Sequence, residues 1–327
     1  MERGDCSMAD RHDVVSAGIL FADIACEPIE RLPRAGELIP TKRIQLGLGG
    51  CAANVAVDLT KVGISVGVAG CVGDDFFGQF IGQALARESV DTGGIRVVPG
   101  MNTAATMIVN VKGEDRRFIS TPGANVVFSA DDIPSDWSRG IRVFYVGGYL
   151  MMPGLETDAF VALLRELRAK GVITVVDVVL MEQRDFWPIL IKVLPEVDYF
   201  LPNNDEGKLI TGSDDPVTQA RRFQEAGAQN VVITLGEKGC LFFGRETKFL
   251  AGVYPTTFVG GAGAGDAFDA GFIAGLLNGE SPEGCVRWGS ALGASCVRAI
   301  GTTEGVFTRE EALDFMASHT LPITPVK

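Results

Sequence analysis

Histidine is nearly absent from this chain, with two in 327 residues, His12 and His319, each near a terminus. That scarcity argues against a Ser-His-Asp triad and a histidine-built metal site, both of which need imidazoles brought together. No Cys-x-x-Cys occurs, and the seven cysteines are an odd number and widely spaced. They read as reduced thiols, mostly buried, in a cytoplasmic protein. No apolar run is long enough to span a bilayer, so no membrane partner is expected. The start, residues 1–13, is charged and polar and shows no signal-peptide pattern. Basic residues are in the minority, 29 Lys and Arg against 41 Asp and Glu, a net charge of −12. That balance disfavours nucleic acid and anionic membrane as partners. Low-complexity segments, internal repeats and long flexible linkers are also missing.

What is present is apolar material for a large core, 46% of the chain. The length exceeds the usual single-core size, which predicts one large α/β domain or a domain with an appendage. The organising stretch is Val259-Gly260-Gly261-Ala262-Gly263-Ala264-Gly265-Asp266-Ala267-Phe268-Asp269-Ala270-Gly271-Phe272. Glycines and alanines pass one acid and then become a helix, with Phe268, Phe272, Ile273, Leu276 and Leu277 at helical spacing. Glycine lets backbone N–H groups turn to one side and lets a ligand come close. The helix start adds unpaired N–H groups and a partial positive charge, together a receptor for an anion such as phosphate. Asp266 would repel that anion. It is better placed to take a proton from a hydroxyl attacking the phosphate. A capped helix after a flexible turn, with Asp266 supporting the dipole, accounts for this stretch equally well.

Earlier in the chain, Val14 to Ile24 reads as one buried strand ending in Asp23, an acid that a turn or cap would also explain. Gly47-Leu48-Gly49-Gly50-Cys51-Ala52-Ala53-Asn54 opens a second glycine-led helix running to Gly63. Its Gly47-x-Gly49-x-x-Ala52 spacing, with Asp74 after the next strand, loosely fits a dinucleotide fingerprint and supports a rival reading, an NAD-dependent oxidoreductase. The preceding Lys42-Arg43-Ile44-Gln45 is too polar for the central parallel strand that fingerprint requires. Thr103 to Val111 and Arg116 to Thr121 read as a hairpin around Lys112-Gly113-Glu114-Asp115. Apolar residues on both faces of its first strand suit a covered sheet, or a lid packing on substrate or on another subunit. Beyond it, β and α segments alternate regularly. This predicts a mostly parallel sheet with helices on both faces and ligands at the C-terminal strand ends, where Gly49, Asp177, Asn203, Gly236 and Gly263 fall. Helices near 282–299 and 309–318 close the chain.

In this order, each at a strand end, the motifs resemble those of ribokinase-like (PfkB) carbohydrate kinases over essentially the whole length. The first signature is Gly49-Gly50-Cys51-Ala52-Ala53-Asn54-Val55-Ala56. The second is Gly263-Ala264-Gly265-Asp266-Ala267-Phe268 with Ala270-Gly271. Val72-Gly73-Asp74, Pro122-Gly123-Ala124-Asn125, Asn203-x-x-Glu206 and Thr234-x-Gly236-x-x-Gly239 lie between. The resemblance implies a single catalytic domain over 1–327 with a small β lid inserted from about 24–46 and 100–125. It implies ATP-dependent phosphorylation of a hydroxyl on a small sugar or sugar acid, with a nucleoside kinase of the same fold as the alternative. Asp23, Gly49, Gly50 and Asn54 would hold substrate hydroxyls. Asn203 and Glu206 would face the phosphates and organise Mg²⁺. Thr234 and Gly236 would contact nucleotide phosphates, and Ser290 would stand near adenine. Gly263, Ala264 and Gly265 would form the anion hole beside Asp266, the base. A Walker A lysine is not required, and none is present. The apolar outer face of the lid is compatible with a homodimer.

The departures bear on substrate and cation. Gly260-Gly261-Ala262 replaces an Asp-Thr-Thr-like lead whose acid commonly helps hold a monovalent cation, so the expected response to potassium is weak. Cys51 stands where ribokinases have lysine, and Gly147-Gly148 where they have a glutamate, which argues against ribose. After Asp177 come Val178-Val179-Leu180-Met181 rather than the Asn and Arg of many fructose- and ketodeoxygluconate-type relatives, and Arg184 is the candidate substitute.

Overall fold

A computed structural model of the chain describes residues 12–114, 117–137, 140–181 and 184–326. The expected polar start up to residue 11, and Asp115 and Arg116 of the expected hairpin, lie outside the described residues. The first strands are β1 (Val14–Gly18), β2 (Phe21–Cys26) and β3 (Ile44–Gly49), followed by helix α1 (Cys51–Lys61). Next come β4 (Val66–Gly73), α2 (Phe76–Arg87), β5 (Asp91–Val98) and a hairpin of β6 (Ala105–Val109) and β7 (Arg117–Thr121). The regular part comprises β8 (Val143–Gly147), α3 (Asp158–Ala169), β9 (Ile173–Val176), α4 (Trp187–Val193), β10 (Tyr199–Phe200), α5 (Asn204–Thr211), α6 (Pro216–Glu225) and β11 (Asn230–Thr234). Last are β12 (Cys240–Phe243), β13 (Lys248–Ala251), α7 (Ala264–Leu277), α8 (Pro282–Cys296), α9 (Arg309–Ser318) and β14 (Ile323–Pro325).

The large sheet has the order β14-β13-β12-β11-β10-β9-β8-β1-β4-β5. From β11 to β5 neighbouring strands are parallel, and the β12, β13 and β14 edge is antiparallel. Side chains alternate across each strand, so one strand feeds two cores. Val14, Val143, Tyr145, Val175 and Val232 enter a core with α1, α7 and α8. Val15, Phe144, Val146, Val176 and Val231 enter the opposite core with α3 and α6. Burial on both faces explains why β1, β4 and β8 read as unbroken runs of small and apolar residues. The chain leaves β1 for β4 and β5 on one side and returns to β8 on the other. That reversal opens a crevice at the C-terminal strand ends, where α/β folds bind ligands.

A second sheet, in the order β3-β2-β6-β7, stands over this crevice. Its register puts Gly47, Asp23, Thr106 and Ser120 in one cross-strand row, and Leu46, Ile24, Met107 and Ile119 in the next, on the opposite face. The first row is polar. On the second, Met107 and Ile119 are 51% and 65% exposed, so the outer edge of this sheet is not covered on both sides.

Two expectations need correction. Val14 to Ile24 is two strands in two sheets, so Asp23 lies within β2 and not at a strand end. Ile19 and Leu20 at the crossing are buried and apolar, which hides the break from pattern reading. Gly18 permits it: a Cβ there would lie 2.2 Å from the Gly147 carbonyl oxygen. The second is the ending. The chain closes not on a helix but on β14, which pairs with β13.

Helix α7 is apolar almost all round and buried, as suits a helix inside a core. It packs closely on α8 because α7 turns glycine toward it. A Cβ at Gly271 would lie 2.4 Å from the Trp288 carbonyl oxygen, and one at Gly275 would lie 2.6 Å from Cys285 Cα. Gly271→Ala gains ~1 kcal/mol of helix propensity but must push two backbones apart. We expect the steric term to win, with a net loss of ~1–3 kcal/mol of unfolding free energy in urea melts.

Candidate active site

Two glycine-led helices meet at the crevice. Gly50 caps α1 at φ +92°, and a Cβ there would lie 2.4 Å from the Ile19 carbonyl oxygen. Gly263 caps α7 at φ +77°, and a Cβ there would lie 2.2 Å from the Thr302 carbonyl oxygen. Neither cap supplies a side-chain hydrogen bond, so the first N–H groups of both helices face the crevice without a side-chain acceptor. A Cβ at exposed Gly265 would meet nothing within 4 Å, leaving open space for a ligand beside the start of α7. Between the helices, Asn54 Nδ2 donates to Asp266 Oδ2 at 2.7 Å. Asn54 is itself oriented. The Thr302 hydroxyl lies 3.0 Å from Asn54 Oδ1 and 2.9 Å from the Leu48 carbonyl oxygen, and shares its one proton between them.

Carboxylates converge on this point. The ligand atoms of Cys51, Asp177 and Asp266 all lie within 4.8 Å of one another. Burial pushes the Asp266 carboxyl above its ordinary value, against hydrogen bonds from Asn54 and Cys51. Asp177 accepts from the Gly148 N–H at 3.2 Å, and burial together with Asp269, Glu206 and Asp266 raises it well above its ordinary value. Asp269, one turn behind Asp266, is buried and accepts the Tyr145 hydroxyl at 3.0 Å. Asp23 sits against Gly49, where a Cβ would lie 2.2 Å from Asp23 Oδ2. Burial raises its pKa to about 6, with Thr106 opposing and Asp266 adding. Glu206 forms a capping box with Asn203: its Oε2 accepts the Asn203 N–H at 2.8 Å, and Asn203 Oδ1 accepts the Glu206 N–H at 2.9 Å. Burial first, then Asp266 and Asp205, raise Glu206 to about 8 against those Asn203 hydrogen bonds. Asn203 bridges to Thr234 across β10 and β11, and Gly236 follows in a left-handed turn at φ +60°.

The match to the pfkB family carbohydrate kinase model covers residues 11–309. The chain belongs to the pfkB family of carbohydrate kinases. It is therefore an enzyme, a carbohydrate kinase. It is similar to the 2-dehydro-3-deoxygluconokinase of Bacillus subtilis, 29% identical over 87% of this chain and 91% of that protein. It is also similar to a cytidine kinase of Thermococcus kodakarensis, 31% identical over 74% of this chain and 84% of that one. The solved structure of Arabidopsis thaliana ribokinase complexed with ribose and ATP superposes with a TM-score of 0.80, at 25% identity, over 93% of this chain and 98% of that one. The dinucleotide reading is set aside with a structural reason. Gly47 and Gly49 lie in β3, an antiparallel strand of the small sheet, and not after a parallel strand.

Within this pfkB kinase, Asp23, Gly49, Gly50, Asn54, Gly263, Ala264, Gly265, Asp266 and Glu206 gather at one end of the large sheet, and Asn203, Thr234 and Gly236 line its continuation. Ser290 sits half-buried on α8 and is joined to the others by no hydrogen bond among the described residues. Reading the sequence missed Thr302, Tyr145 and the buried role of Asp269. For Asp269 the signal was there: a second acid, three residues after the first, on the buried face of an otherwise apolar helix. Arg184 does not reach toward Asp177 as a free cation. It pairs with Glu156 at 3.0 Å and lies over the Phe186 ring. The six described cysteines are free, as expected, and all but Cys26 are buried.

The raised acids set a pH dependence. In the folded, ligand-free enzyme Asp23 and Glu206 hold protons more tightly than in the unfolded chain, whose values are near 3.8 and 4.5. Stability therefore falls as pH rises through the window from about 4 to about 8. The double variant Asp23→Asn, Glu206→Gln should flatten that slope and gain ~1–3 kcal/mol over wild type at pH 8, after allowance for solvent screening. Denaturant titrations at pH 5 and pH 8 check this, and a wild-type protein more stable at pH 8 than at pH 5 contradicts it.

Proposed function

We propose that this chain transfers the γ-phosphoryl group of ATP to a hydroxyl of a small sugar or sugar acid, with Asp266 as the general base. The observation that carries this is the placement of Asp266. Its carboxylate is held by Asn54 beside the uncapped N-terminus of α7, so a proton acceptor and an anion receptor adjoin one open space. The N–H groups of Gly263, Ala264 and Gly265 take the phosphoryl oxygens. Asp23, Gly49, Gly50 and Asn54 hold acceptor hydroxyls, and the attacking hydroxyl gives its proton to Asp266 as the phosphoryl group transfers in line. Thr234 and Gly236 lie along the nucleotide phosphates, and Ser290 lies toward adenine.

Glu206 suits Mg²⁺. It is a hard oxygen donor, no Lys or Arg pairs with it among the described residues, and one of its oxygens is already fixed by Asn203. When bound with ATP, the ion neutralises charge on the transferred group. The role of Glu206 and Asn203 is to keep that ion at the β10 end of the crevice. A potassium site has less support. Gly260 brings no carboxylate, and the Ala262 carbonyl oxygen lies 3.3 Å from the Cys296 thiol, a weak donor that already faces it. The small sheet, with Met107 and Ile119 on its outer face, acts as a lid and as the contact of a homodimer. The nucleoside kinase alternative draws on the likeness to the cytidine kinase.

Three outcomes follow from this reading. Asp266→Asn keeps ATP affinity near wild type and lowers kcat by ~10²–10⁴. Near-normal turnover at saturating substrate would remove Asp266 from the role of base. Potassium chloride added at constant ionic strength changes the rate little; a tenfold rise, worth ~1.4 kcal/mol of barrier, would show a working site without the acid. Hydrogen exchange across β6 and β7 slows when substrate and nucleotide are both bound, and equal exchange in both states would rule out a closing lid.

A further inference from the structure

We propose that the acceptor taken by this site carries no negative charge: it is a neutral or amine-bearing polyol, and sugar acids are rejected. This narrows the kinase reading above and rests on it. Five carboxyl groups converge around the crevice: Asp23, Asp177, Glu206, Asp266 and, buried behind Asp266, Asp269. Among the described residues none of the five forms an ion pair with Lys or Arg. Asp23, Asp177 and Asp269 each lie close enough to Asp266 for it to raise their pKa values, after burial.

Among the described residues, the cations that could answer a bound carboxylate are placed elsewhere. Arg184, the nearest candidate in sequence, is paired with Glu156 and stacked on Phe186. Lys61 is at the far end of α1, where its ammonium donates to the Thr303 carbonyl oxygen. Position 51, at the first turn of α1, holds a thiol whose burial, with Asp266 and Asp177 beside it, keeps it protonated and neutral. The uncapped start of α1 offers about half a positive charge. The carboxyl groups of Asp177 and Asp266 already stand within 4.8 Å of the Cys51 sulfur at that start. ATP is also an anion, but its phosphates meet the separate start of α7 and arrive with a divalent cation. A sugar carboxylate brings no such countercharge. An ammonium group beside Asp177 would instead be favoured by the field that rejects a carboxylate.

The test measures ADP release by the purified chain with Mg-ATP on acceptors that share a skeleton and differ in charge. Glucose, gluconate and glucosamine form one set, ribose and ribonate a second, and 2-dehydro-3-deoxygluconate is added as a further acid. At least one neutral or amino acceptor is expected to show kcat/KM ~10²-fold or more above every acid. Asp177→Asn should lower that ratio ~10-fold, and a ratio taken on one preparation is independent of how much of the variant folds. An acid turned over as well as or better than the best neutral acceptor overturns the charge assignment and leaves the kinase reading standing. No ADP release with any acceptor overturns both.

Discussion

One hydrogen bond, Asn54 Nδ2 to Asp266 Oδ2 at 2.7 Å, joins residues 212 positions apart and ties two helices that enter the crevice from different parts of the chain. Much of the site is built to keep it. Thr302 fixes the amide from behind, and Leu48 fixes Thr302. Glycines at both helix caps allow the backbone to come this close, because any side chain there would strike a carbonyl. The geometry of the crevice thus depends on packing, and the close crossing of α7 on α8 supports it from behind.

The electrostatics follow from the same closeness. Carboxylates drawn into a partly dry crevice repel one another, so each holds its proton more strongly than it would in water. A base needs some of that, since a carboxylate with a raised pKa is a better proton acceptor. Too much would leave it protonated at working pH. Asn54 and Cys51 counter burial at Asp266, Cys51 counters it at Asp177, and Tyr145 counters it at Asp269.

The fold class was legible because parallel α/β units repeat one local rule, an apolar run followed by an amphipathic helix. The glycine loops were legible because helix starts without side-chain caps need unusual backbone. What stayed hidden had no local signature. The step from β1 to β2 passes through Ile19 and Leu20, as apolar as the strands they separate. β5 and β14 are edges, where half of each strand faces solvent and alternation is lost. Thr302 sits in a loop of ordinary polar residues, and only its contact with Asn54 gives it a purpose. The pairing of Tyr145 with Asp269 spans two elements, and neither sequence neighbourhood marks it.

The glycine contacts also decide how this molecule can diverge. At Gly18, Gly263 and Gly271 the obstacle to a side chain is a backbone carbonyl, which no substitution at the neighbour can remove. Such positions have no compensating partner, so drift or a random library should return them unchanged, singly and in combination. Gly49 is different, because what blocks it is the carboxylate of Asp23. A shorter residue at 23 would release position 49, so these two can change together and remodel the lid-side wall of the crevice while the α7 end stays fixed. New specificities should therefore arise at the lid-side wall, by paired changes, before they arise anywhere along α7.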